Sequence, residues 1–148
     1  MTPLQSRRLG RGLVLTVAAL LLLDALAQFA SPPFIVAALE EIGFPPDVGP
    51  RLALVTLACA LLLALPRTAP AGAVLMTGFL GGAICAHFRI GEIASQQQLI
   101  CFGLAAAAWT GLMLADPRLR ALLPTAAPPP APGGPVSLSR IAEAHRRG

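Results

Sequence analysis

Apolar residues in this chain gather into four long runs, at Gly12–Ala30, Leu52–Leu65, Gly72–Phe88 and Leu99–Ala115, with the charged residues mostly in the gaps between them. A continuous apolar run cannot turn a polar face to water, so runs of this length in a short chain predict helices that satisfy their own backbone hydrogen bonds in lipid. The pattern predicts an all-α fold, an integral membrane four-helix bundle. Its expected domain layout is an N-terminal segment at 1–11, a transmembrane domain at 12–116 and a Pro/Ala-rich tail at 117–148.

Between the first two runs lies a different pattern. Ser31-Pro32-Pro33 ends the first helix, and then Phe34, Ile35, Ala38, Leu39 and Ile42 alternate at helical spacing with Glu40 and Glu41. Pro33 suits a helix start and Gly43 a helix stop. About ten residues are too few to span, so Pro33–Ile42 predicts a short amphipathic helix on the outer surface. The second span is the shortest. Fifteen residues separate Arg51 from Arg67, which at ~1.5 Å per residue reach roughly 22 Å, less than the hydrocarbon core. Snorkelling of the two arginines closes that gap.

Composition agrees with a membrane chain. Of the 148 residues 55% are hydrophobic and 12% charged, and the mean hydropathy is +0.72; soluble domains carry about twice that charge fraction. The net charge of +4 does not point to nucleic acid, because the arginines flank apolar runs and form no stripe on a polar face. They set a topology instead. With the N-terminus cytoplasmic, Arg7, Arg8, Arg11, Arg67, Arg118 and Arg120 fall inside and only Arg51 and Arg89 outside, before the distal Arg140, Arg146 and Arg147 are counted. The positive-inside rule then favours both termini of this multi-pass chain in the cytoplasm. Ser6-Arg7-Arg8 and the run Leu13–Leu23 resemble a cleavable secretory signal, but Asp24 interrupts the run just before the Ala25-Leu26-Ala27 site, which favours a retained first helix. The prolines from Pro117 to Pro135 predict a disordered, extended linker, and Ser137–Arg147 is either a brief basic helix or, the favoured reading, a mobile tail.

Few residues offer chemistry. Asp24 lies within the first span, where an ionisable group is costly and usually faces the bundle interior. Gln28 and Ser31 follow on the same face at i+4 and i+7. His87 and Arg89 reach the same outer boundary from the third span. The expected constellation is therefore Asp24, Gln28, His87 and Arg89. It is either a proton-handling or ligand-binding pocket, or a polar tie that fixes helix register. Gly78, Gly82 and Ala86 recur every four positions and form a groove for close helix packing, within the bundle or between subunits. Cys85 and Cys101 stand at similar depth and form a candidate thiol pair, against the alternative of buried small hydrophobes. No CxxC, metal-ligand spacing, phosphate loop or nucleophile elbow occurs, and two histidines cannot supply two bis-His haem sites. The catalytic residues remain unassigned and no metal site is expected.

Leu22-Leu23-Asp24-Ala25, Ile42-Gly43-Phe44-Pro45-Pro46, Leu65-Pro66-Arg67-Thr68, Thr77-Gly78-Phe79-Leu80-Gly81-Gly82-Ala83 with His87 and Arg89, and Asp116-Pro117-Arg118-Leu119-Arg120 follow one another at the spacing seen in the DoxX-like family. The chain resembles that family over about residues 10 to 124. The resemblance implies a four-helix inner-membrane protein that keeps its first span. It marks Asp24, His87 and Arg89 as the polar positions of interest. Through relatives associated with quinol oxidase or sulfur-oxidising complexes, it also implies a respiratory or thiol-redox connection, with quinone as the cofactor it allows. Three functions stay open: a non-catalytic accessory subunit of a membrane redox complex, with membrane lipid and a protein complex or a second copy as partners; a binding or transport module for a small apolar or quinone-like molecule using Asp24 and His87; and a membrane oxidoreductase using Cys85 and Cys101.

Overall fold

A computed structural model describes residues 2–116 and residue 119. The expected Pro-rich linker and the segment at 137–147 lie outside the described residues. The described chain is all-helical: α1 (Pro3–Ala30), α2 (Pro33–Glu41), α3 (Gly49–Ala64), α4 (Ala69–Arg89) and α5 (Gln96–Ala115). Three helices, at Leu4–Ala30, Ala69–Arg89 and Gln96–Ala115, are long and apolar enough to cross a membrane, whereas Gly49–Ala64 is apolar but shorter.

Helix α1 begins nine residues before its apolar run. Thr2 caps it, accepting from the Gln5 N–H while the Gln5 side chain accepts from the Thr2 N–H, and Pro3 occupies the first turn. Arg7, Arg8 and Arg11 therefore ride on a formed helix. At its far end Ser31 takes a left-handed conformation (φ 45°), and its hydroxyl donates to the Gln28 carbonyl at 2.8 Å. This leaves one terminal carbonyl satisfied by the cap itself. Helix α2 matches the bounds of the expected short helix to within a residue. It contains no buried residue, and after it the chain turns at Gly43, whose φ of +84° suits a residue without Cβ.

Helix α1 packs against α3 and α5, and α4 closes the ring against the same two helices, so α1 and α4 lie across the bundle from each other. The core is built from Val14, Val17, Leu21 and Ala25 of α1, Ala53, Thr56, Cys59 and Leu63 of α3, Ala73 and Met76 of α4, and Ala108 and Leu112 of α5. Many large apolar side chains point outward instead, among them Leu20, Leu23, Leu54, Leu61, Val74, Leu99 and Phe102. A water-soluble bundle would bury these residues; lipid solvates them.

At the end of the bundle that carries the N-terminus, backbones come into close contact. A Cβ on Gly10 would lie 2.5 Å from the Gly111 carbonyl oxygen and 2.6 Å from the Ala115 nitrogen. One on Gly72 would lie 2.6 Å from the Leu63 nitrogen. Both positions let backbones meet where any side chain would hold them apart. The Arg11 guanidinium, at the same end, donates to the Ala64 carbonyl, a terminal acceptor of α3. Thr68 closes the α3–α4 turn by donating to the Leu62 carbonyl at 2.8 Å.

Candidate functional site

Two polar groups occupy the opposite end, where α2 and the long loops gather. The first joins α1 to α3. Gln28, 8% exposed, donates from Nε2 to Asp24 Oδ2 at 2.5 Å and lies 3.5 Å from Thr56 Oγ1. Helical spacing brings Asp24 and Gln28 onto one face, and the packing of α1 on α3 sets Thr56 against them. Thr56 itself is fully buried and returns its hydroxyl proton to the Leu52 carbonyl at 3.1 Å. Asp24 is exposed at the bundle surface. Gln28 Oε1 is buried and accepts no hydrogen bond from the described residues.

The second group ties α4 to α2 and α5. His87 Nδ1 sits 2.7 Å from Glu92 Oε2. Arg89 donates to the Ile42 carbonyl at 2.8 Å, which anchors the C-terminal end of α2. Gln98, 2% exposed, donates to the Glu92 carbonyl at 3.1 Å and accepts from the Ser95 N–H at 3.0 Å, so one side chain holds both the turn and the start of α5. The four residues expected to meet therefore divide between two clusters. Asp24 and Gln28 are bonded to each other, whereas His87 is held by Glu92 and Arg89 by Ile42. The diagonal placement of α1 and α4 is the physical reason for that division.

Sequence reasoning missed Thr56 and Gln98. Thr56 carried a signal as a lone polar residue in an apolar run, and Gln98 as the third residue after a capping Ser95. The remaining candidates fall elsewhere. Gly78 and Gly82 are exposed on α4, and a Cβ on either would meet nothing within 4 Å. Ala86 is half-buried. Cys59, Cys85 and Cys101 are free thiols, Cys85 exposed and the other two buried. Trp109 bridges α5 to α4 by donating from its ring nitrogen to Thr77 Oγ1 at 3.0 Å. Among the described residues no group of three His, Cys, Asp or Glu side chains gathers that could hold a metal ion.

The arrangement of outward apolar helices with a few polar ties at one end is that of a small membrane bundle, and the sequence motifs agree. The model of the DoxX-like family matches residues 13–111, more than half of the chain. The chain belongs to the DoxX-like family. The matched stretch takes in Asp24, Gln28, Thr56, His87, Arg89 and Gln98, and stops short of the Asp116–Arg120 motif. No curated protein and no solved structure matches the chain. Membership in the DoxX-like family, together with the three long apolar helices, makes this a multi-pass membrane protein.

Proposed function

We propose that this DoxX-like protein is a non-catalytic accessory subunit that docks laterally on a membrane redox or respiratory complex in the cytoplasmic membrane. In this reading α1, α3, α4 and α5 all cross the bilayer and both termini are cytoplasmic, because that orientation puts Arg7, Arg8, Arg11 and Arg67 inside. Arg51 and Arg67 extend the short α3 to both interfaces.

The observation that carries the docking role is the outward face of α4. Gly78 and Gly82 are exposed and have open space where a Cβ would stand, so their backbone is bare toward the membrane. The chain's own glycine contacts lie elsewhere, at Gly10, Gly43, Gly49, Gly72 and Gly111. Within lipid, helices associate through small residues that permit close backbone approach. A partner helix fits this face without displacing any part of the bundle.

Extraction of the full chain from its native membrane in mild detergent, followed by mass spectrometry, tests the proposal. A stoichiometric redox subunit is expected with the wild-type chain, and its loss is expected with Gly82→Leu, whose side chain would stand where the partner helix sits. A wild-type chain that emerges alone would overturn the accessory role.

A further inference from the structure

We infer that α2 is a strap across the end of the bundle opposite the N-terminus, latched by Arg89, and that it lifts to admit water to the α1–α3 junction beneath it. Its two ends fix its course. Only Ser31 and Pro32 separate α2 from α1, and just past its last turn the Ile42 carbonyl accepts from the Arg89 guanidinium at the end of α4. Helices α1 and α4 stand diagonally across the bundle. The nine residues of α2, at ~1.5 Å each, reach about 13 Å. The diagonal of a bundle whose neighbouring axes lie about 8–10 Å apart is roughly 11–14 Å. The helix therefore has the length to run from α1 to α4 over the bundle end.

The strap is lightly held. No residue of α2 is buried, and its packing against α3 is slight. Its turn closes on itself, since the Gly43 N–H donates to the Glu40 carbonyl and the Phe44 N–H to the Leu39 carbonyl. Pro32-Pro33 before it and Pro45-Pro46 after it have no N–H with which to tie it to a neighbour. Among the described residues, the bond from Arg89 is the only hydrogen bond that reaches Pro33–Phe44 from another helix. Ser31 (φ 45°) and Gly43 (φ 84°) are sharp turns on either side, placed to absorb a swing of the helix between them. Beneath the strap, Ile42 is buried, and Leu39 and the Gln28 carbonyl both approach Gly49 at the start of α3. Gln28 stands in the last turn of α1 at this junction, and its Oε1 has no donor among the described residues. Water admitted there supplies one, which offsets part of the cost of exposing Ile42.

The test is the rate at which a water-soluble maleimide modifies the full chain in lipid nanodiscs, read peptide by peptide by mass spectrometry. Ile42→Cys places a thiol under the strap and Ala38→Cys one on its exposed side. With Arg89 in place, the thiol at 42 is expected to react about 10-fold more slowly than the thiol at 38. Adding Arg89→Ala is expected to speed position 42 about 10-fold, the factor that one hydrogen bond from a charged donor supplies, and to leave position 38 unchanged. Arg89→Lys, which keeps a charged donor, is expected to recover part of the protection. The buried Cys59 and Cys101 report on the bundle itself in every variant. Equal rates at 38 and 42 with Arg89 present would overturn the closed strap without recourse to any Arg89 variant. A rate at 42 that ignores Arg89→Ala would overturn the latch, and an acceleration shared by Cys59 and Cys101 would show that Arg89 holds the whole bundle and not a strap.

Discussion

The two ends of this bundle are held by different physics. At the end carrying the N-terminus, Gly10 against Gly111 and Gly72 against Leu63 bring backbones into contact, and a single arginine, Arg11, ties α1 to the end of α3. At the other end the helices are joined by polar side chains: Gln28 to Asp24 and Thr56, His87 to Glu92, Arg89 to Ile42, and Gln98 to the turn before α5. Backbone contact leaves neither space nor unpaired atoms. Side-chain ties leave a buried acceptor, Gln28 Oε1, without a donor among the described residues. The lesson is that one end of the bundle is set by backbone fit and the other by side-chain hydrogen bonds.

The strongest way to break the comparison is at the glycines. Gly10→Ala places a methyl 2.5 Å, and Gly72→Ala one 2.6 Å, from neighbouring backbone atoms, closer than van der Waals contact permits. Each is expected to cost about 2 kcal/mol, because overpacking outweighs the small gain in helix propensity. Thermal or denaturant unfolding in detergent measures it, and an unchanged midpoint would remove the close-contact description. Next is Gln98→Ala at the opposite end, which strips the Glu92 carbonyl and the Ser95 N–H of their partner. A loss of about 1–2 kcal/mol is expected, with hydrogen exchange fastest in the first turns of α5.

Gly49→Ala sharpens the contrast between the ends. The added carbon there meets the Gln28 carbonyl and the Ser31 hydroxyl at 3.2 Å, a fit needing only a slight shift. Its effect on the unfolding midpoint is expected to fall below that of Gly10→Ala. The smallest effect belongs to Gly78→Ala on the outward face of α4, where nothing lies within 4 Å. Stability is expected to hold or rise by a few tenths of a kcal/mol. A clear destabilisation of the isolated chain would show that this face is already occupied.

Much of the fold was legible because lipid enforces a simple code. An apolar run, a proline pair at 32–33 and a glycine at 43 each translate into a helix, a break and a stop without reference to distant residues. Helix α1 extends further back than its apolar run because Thr2 and Gln5 form a cap that hydropathy does not register. The site was less legible. Depth along a helix can be counted from residue number, and it placed Asp24, Gln28, His87 and Arg89 near one boundary. Depth does not say which helices are neighbours.

Local chemistry alone therefore determined the membrane-spanning character, the helix boundaries near prolines and glycines, and the Asp24–Gln28 pair, since spacing of four residues is a property of one helix. Only the tertiary structure decided that α1 faces α3 and α5 and stands diagonal to α4. That choice gave Gln28 to Thr56, left His87 to Glu92, and turned Gly78 and Gly82 outward while Gly10, Gly72 and Gly111 took the close contacts. The physical reason is that helix order around a bundle depends on side-chain fit summed over whole interfaces, and no single motif carries that sum.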